Sequence, residues 1–113
     1  LAAVGNLQQA LRELNAFLAT SPRQADALLA RGELRLRSGS VDPALADLRG
    51  ALANAPADWP QVSRLTAELL VGEALLAQGS IADARAQVEQ LERRLPGSVG
   101  ARLLGARIAL FEG

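Results

Sequence analysis

Few kinds of side chain in this sequence could carry chemistry. Its 113 residues include no His, Cys, Met, Tyr or Lys. A nucleophile or general base would have to be Ser, Thr, Asp or Glu, and Arg is the sole side-chain cation. Glu33 and Glu73 invite comparison with the paired carboxylates of a glycosidase site. They stand at equivalent places forty residues apart, however, and internal repetition alone accounts for them. The remaining acids show no EF-hand spacing, and no phosphate-binding loop is present. No catalytic, cofactor-binding or metal-ligating residue is therefore assigned, no cofactor is expected, and the chain is not read as an enzyme.

Arg31, Arg35 and Arg37 cluster within one short stretch. Arg31 and Arg35 are four apart and share a helix face, where like charges repel mildly. Their stems can cover apolar surface while their heads reach Asp or Glu on neighbouring helices. An anionic-ligand site is the alternative. Trp59, the single Trp, also has two readings. It is either a staple or cap over the hairpin beneath it, or an interface anchor of the kind Trp often supplies.

The elements that position these residues follow from composition and repetition. Hydrophobic residues make up 50% of the chain and aromatics 3%. The apolar mass is mainly Ala and Leu, strong helix formers, with few of the residues strands favour. An all-α fold follows. Twelve basic residues, all Arg, balance twelve acids to a net charge of zero, without the basic field of a nucleic-acid binder. No apolar run approaches the ~20 residues of a membrane span, so no membrane contact is expected. The absence of Cys excludes disulfides and fits cytoplasm and periplasm equally.

Sliding the chain against itself by forty residues superposes Gly32 on Gly72, Gly39 on Gly79, Ala44 on Ala84 and Pro56 on Pro96. Glu33 falls on Glu73 and Ser40 on Ser80 in the same register. Residues 5–22 match residues 39–56 at a spacing of thirty-four, and the C-terminal stretch matches the first half of a unit, which puts Gly113 at a turn. Leu14, Leu48 and Val88 take the large apolar place. This spacing of small residue, turn Gly, Ala and Pro resembles the tetratricopeptide repeat over nearly the whole chain. The resemblance implies antiparallel helical hairpins stacked as a right-handed superhelix, an α-solenoid fragment. Residues 1–22 would end one repeat, 23–58 and 59–97 would be full repeats, and 98–113 would begin the next.

Departures are visible. Leu28 and Glu68 stand where the family favours Trp, and Arg31 and Arg35 stand where Val71 and Leu75 keep an apolar norm. Six extra residues around Asp58-Trp59-Pro60-Gln61 are expected to lengthen the following helix by roughly 9 Å, with Trp59 on the projection. Ser21-Pro22-Arg23-Gln24 and Asp58-Trp59-Pro60-Gln61 read as helix starts with a cap, an early Pro and a Gln. Asn6 with Gln9 and Ser80 with Asp83 read similarly, and Gly5, Gly39 and Gly79 suit helix ends. By analogy with the family, Gly32 and Gly72 face Ala44 and Ala84. Leu48, Leu52, Val88 and Leu91 should fill the space between hairpins.

In the family the first helices line a concave surface. Carried over place by place, that surface comprises Asp26, Leu29, Glu33, Leu36 and Arg37, then Thr66, Leu69, Glu73 and Leu76, then Leu103, Arg107 and Leu110. Leu alternating with Glu and Arg would suit an amphipathic or extended protein segment. Glu33 with Arg37 also reads as a solvated i,i+4 pair. The expected function is a protein–protein interaction scaffold with protein partners and no nucleic acid. The Ala/Leu/Arg-rich, aromatic-poor repeats resemble periplasmic arrays of bacterial outer-membrane exopolysaccharide (biofilm) exporters, the Pel type foremost. That resemblance implies recruitment of a periplasmic polysaccharide-modifying enzyme. A cytoplasmic adaptor or regulator taking a peptide from a signalling partner is the alternative. A chain opening on Leu1 reads as a piece of a longer array. Apolar faces at Leu11, Leu14 and Phe17, and at Leu103, Leu104 and Ile108, should favour end-to-end self-association.

Overall fold

The computed structural model describes residues 2–112, and their side chains from residue 5 onward. The turn expected at Gly113 lies outside the described residues. Within them the chain forms six α-helices and no strand: α1 (Ala2–Thr20), α2 (Ala25–Arg37), α3 (Val41–Ala53), α4 (Gln61–Ala77), α5 (Ile81–Arg94) and α6 (Val99–Glu112). Each helix packs on the next in chain order, with α2 and α3, then α4 and α5, as antiparallel hairpins. The first helices α2, α4 and α6 also touch in succession. The result is an open slab of 40 × 37 × 21 Å.

Turn chemistry sets the hairpins. Gly39 and Gly79 adopt φ of +89° and +83°, the left-handed conformation that lacks a steric penalty only for Gly. At α2 the Ser40 N–H donates to the Arg35 carbonyl (2.8 Å) and Gly39 N–H to Leu36 (3.1 Å). At α4 Ser80 donates to Leu75 (2.9 Å) and Gly79 to Leu76 (3.0 Å). Both are Schellman endings, which satisfy carbonyls the helix leaves open. Gly5, by contrast, lies inside α1, as does Asn6, and neither marks a helix boundary.

The expected caps are corrected. Ser21 opens a turn with Pro22 at its second position, closed by Gln24 N–H on the Ser21 carbonyl (3.3 Å). The cap of α2 is Gln24, whose side chain accepts from Ala27 N–H at 2.7 Å. Asp58 likewise sits in a turn, where Trp59 N–H meets the Pro56 carbonyl (3.0 Å), and α4 begins after Pro60 with no side-chain cap. Ser80 occupies the N-cap of α5, but its hydroxyl makes no capping bond. At Ser21 and Asp58 the chain forms turns that a cap pattern does not distinguish.

Two apolar clusters share Leu29 and Leu52 at their edges. One joins Leu45, Leu48, Val71, Leu75, Leu76, Ala84, Val88, Leu104 and Ile108 across α3 to α6. The other joins Leu18, Ala27, Leu28, Ala51, Trp59 and Ala67 across α1 to α4. Ala44, Ala84 and Leu48 are fully buried, as close helix crossing requires. A Cβ on Gly32 would stand 2.9 Å from Leu48 Cγ and 3.2 Å from the Ala44 carbonyl, so that crossing admits only Gly without a shift. The atoms nearest to a Cβ on Gly72 would belong to Leu104 and Gln87. Gly72 therefore accommodates the next hairpin as well as its own.

The extra residues lengthen α4 to 17 residues against 13 for α2, and the rest form the connection at 54–60. Trp59 does not ride on the projecting helix. It folds back, 7% exposed, against Leu18, Leu28 and Ala51.

Candidate protein-binding surface

The first-helix face changes character along the array. On α2 the side chains expected to line a groove are already engaged. Asp26 accepts a hydrogen bond from Trp59 Nε1–H at 2.7 Å, which pins the connection onto α2. Arg64 lies over the Trp59 ring, 5.8 Å from its centroid. Glu33 pairs with Arg37 at 2.7 Å one turn along the same helix. Leu29 and Leu36 are partly buried and pack against the core.

Between α4 and α6 the face opens. A cavity of about 440 Å³ is lined by Leu69 and Glu73 from α4 and by Gly100, Leu103, Leu104, Ala106, Arg107 and Leu110 from α6. Small residues make it possible. Leu104 tucks against Gly72, and a Cβ on Gly100 would come within 2.7 Å of Leu69 Cδ1. Each helix thus offers a glycine to the other's leucine. Leu103 is 62% exposed and Leu110 82%, so the apolar wall continues to the surface. The lining side chains carry two charges, on Glu73 and Arg107, which meet at 3.3 Å with both groups largely in solvent.

Residue by residue, Leu69, Glu73, Leu103, Arg107 and Leu110 come together at this cavity. Thr66 stands one turn away and donates its hydroxyl to the Val62 carbonyl at 2.7 Å. Leu76 does not line it: at 3% exposure it belongs to the core cluster that runs from α3 to α6. Gly100, Leu104 and Ala106 were not anticipated. Gly100 stands in register with Asp26 and Thr66, and the loss of a side chain there was the readable sign of a recess.

The Arg cluster is stitching. Arg31 donates from Nε and Nη2 to Asp47 Oδ2 and Oδ1 at 2.9 and 2.8 Å, and from Nη1 to Asn15 at 3.0 Å. Arg35 adds a bond to Asp47 Oδ2 at 2.9 Å. Asp47 is 5% exposed and holds α1, α2 and α3 in one network. In the forty-residue register Val71, Leu75 and Gln87 replace Arg31, Arg35 and Asp47. An ionic stitch in one hairpin becomes an apolar contact in the next.

The faces expected to invite end-to-end packing also need correction. Leu104 and Ile108 turn inward, 3% and 0% exposed, and pack on Val88 and Leu75 in the core. The exposed apolar residues of α6 are Val99, Leu103, Leu110 and Phe111 instead. On α1, Leu14 leans on the core while Phe17 stays about half exposed.

The sequence matches the model of the tetratricopeptide repeat family over residues 1–58 and 69–112. The chain belongs to the tetratricopeptide repeat family. Its hairpins are tetratricopeptide hairpins, a scaffold architecture that is typically non-catalytic and serves protein–protein interaction. The unmatched stretch, 59–68, starts at Trp59 and takes in the first turns of α4, which is where the extra residues depart from the repeat. No curated protein matches the chain. Among the described residues no three acidic side chains converge as a metal site would require. Glu33 and Glu73 each face an Arg of their own, an arrangement suited to structure and recognition.

Proposed function

We propose that this tetratricopeptide scaffold holds a protein segment in the recess between α4 and α6. The observation that supports it is an apolar cavity of about 440 Å³ with a single ion pair on its lining. Ligand sites combine an apolar body with a few polar groups that fix orientation, and this recess has both. Leu69, Leu103 and Leu110 supply the contact area, and Glu73 and Arg107 the polar discrimination. Of the other expected lining residues, Asp26, Glu33, Leu29, Leu36 and Arg37 are engaged on α2, and Thr66 stands one turn from the recess on α4. A photoreactive residue at position 103 should capture partner peptides that the same probe at the exposed position 86 of α5 does not. Equal capture at both positions would overturn the groove, and loss of capture on Glu73→Arg would place the partner at the ion pair.

The wider setting we infer is the periplasmic part of a bacterial exopolysaccharide exporter, in which the array recruits a polysaccharide-modifying enzyme. The support is compositional: Ala, Leu and Arg dominate, and aromatics make up 3%. The same scarcity of aromatic platforms disfavours direct grip on a sugar polymer. The full-length gene tests this setting. A leader or anchor before the repeats and a β-barrel pattern after them would support it, whereas an attached receiver, kinase or DNA-binding domain would favour a cytoplasmic adaptor. End-to-end association through Phe17 on α1 and the exposed leucines of α6 is a further expectation. A sedimentation profile independent of concentration would refute it.

A further inference from the structure

The recess has a direction. Across it, the α4 wall carries a negative charge at Glu73 and the α6 wall a positive one at Arg107. The walls between them are leucine, with Gly100 and Ala106 keeping the floor low, and no aromatic residue lines the cavity. Their mutual contact is weak. At 3.3 Å and with side chains 40% and 55% exposed, the pair gains little from burial, so each partner is available for exchange. The other first-helix pair differs. Glu33 and Arg37 sit on one helix, 2.7 Å apart, and neither reaches across the groove.

We infer that the occupant is a segment of mixed charge, with a branched aliphatic side chain seated among Leu69, Leu103 and Leu104. A basic residue of that segment faces Glu73 and an acidic one faces Arg107. This rests on the groove reading above and adds the partner's chemistry to it. The physical basis is complementarity. Opposite charges at a rim contribute modest affinity but penalise wrong partners through like-charge contact. A segment bearing one charge of each sign replaces the Glu73–Arg107 contact with two contacts. A doubly acidic or doubly basic segment gains one and is repelled at the other. Leucine suits the walls because apolar side chains of like shape interdigitate without forcing rotamers.

Three synthetic peptides test it, each with one central leucine flanked by a mixed, a doubly acidic or a doubly basic pair, measured by fluorescence polarisation against the 113-residue chain. The unaltered protein should favour the mixed peptide by roughly three- to tenfold. Glu73→Arg should turn the preference to the doubly acidic peptide, and Arg107→Glu to the doubly basic one. Replacing the central leucine by alanine should weaken every complex. The same order of peptides for all three proteins would overturn the inference, as would no measurable binding of any peptide. Leu103→Asp separates it from the groove reading. If all peptides bind alike and Leu103→Asp abolishes that binding, the groove stands and the charge assignment falls. If Leu103→Asp changes nothing, the groove itself falls. Circular dichroism of each variant confirms that the helices remain.

Discussion

The hairpin of α2 and α3 and the hairpin of α4 and α5 share a backbone plan but are held together by different means. In the first, Arg31 and Arg35 converge on the buried Asp47, and Trp59 closes the open end by bonding to Asp26. In the second, Val71 and Leu75 join the core and Gln87 donates its amide to the Glu68 carbonyl at 3.1 Å. The difference shows how one repeat can be used twice. Where polar and aromatic groups are spent on each other, the first-helix face is occupied. Where the hairpin's interior is apolar and its polar bonds gather at Glu68, the face beside it is left with a recess and a loosely held ion pair.

The largest expected effect comes from removing the aromatic closure. Trp59→Ala would leave a cavity between α1, α2 and α4 beside Leu18, Leu28 and Ala67, and strand the Asp26 carboxylate without its donor. Truncation of a buried large aromatic costs about 3–5 kcal/mol. Urea unfolding should show that loss, and Trp59→Phe should recover most of it. A loss below about 1 kcal/mol for the alanine variant would mean that the connection at 54–60 is an ornament.

Next is the ionic stitch. Asp47→Ala leaves two guanidinium groups, 19% and 27% exposed, facing each other without their anion. Removing one partner of a buried pair costs about 3–5 kcal/mol, and the partial hydration of these two Arg places the expectation near about 3 kcal/mol. Gln87→Ala, the matching change in the other hairpin, removes one neutral hydrogen bond and should cost about 1 kcal/mol. Comparable losses in the two variants would erase the distinction between the hairpins.

How much of this was legible in the sequence depends on the range of the interaction. Gly39 and Gly79 could be placed at helix ends because a left-handed residue followed by a new helix is a local requirement. Leu69, Glu73, Leu103, Arg107 and Leu110 could be grouped because the repeat fixes which helix face each occupies. The caps were misread because Ser21 and Asp58 serve turns as well as they would serve caps, and local pattern does not separate the two. Leu76 was misread because the repeat gives its face but not its depth in the core. Asp47 went unnoticed since its partners, Arg31 and Arg35, lie on another helix sixteen and twelve residues back, although the exchange to Val71, Leu75 and Gln87 was visible in register. Trp59 turned inward by reaching Asp26, thirty-three residues back.

The transplant of one hairpin's chemistry into the other sharpens the contrast. Arg31→Val, Arg35→Leu and Asp47→Gln together would give the first hairpin the interior of the second. Replacing buried ion groups by packed apolar ones is often neutral or stabilising by about 1–4 kcal/mol. We expect the triple variant to match or exceed the unaltered protein in urea unfolding, while each single change loses stability. Asn15 would then lose its Arg31 contact, which lies in solvent and contributes little. A triple variant less stable than Asp47→Ala alone would mean that the two interiors are not interchangeable.

The smallest effect is expected where function is placed. Glu73 and Arg107 meet at 3.3 Å with 40% and 55% of their side chains exposed, so their attraction is screened by water and offset by the entropy of holding two long chains. Glu73→Ala and Arg107→Ala should each change unfolding free energy by less than about 1 kcal/mol, and added salt should not enlarge the difference. The contrast with Asp47 is one of geometry. Asp47 accepts three hydrogen bonds from two Arg in a buried place, whereas Glu73 accepts one from an Arg that solvent also reaches. A group that contributes little to folding is free to contribute to recognition, since exchanging its partner costs the fold little. If either alanine variant lost as much stability as Asp47→Ala, the pair would be a second stitch, and the recess between α4 and α6 would be no more available than the face of α2.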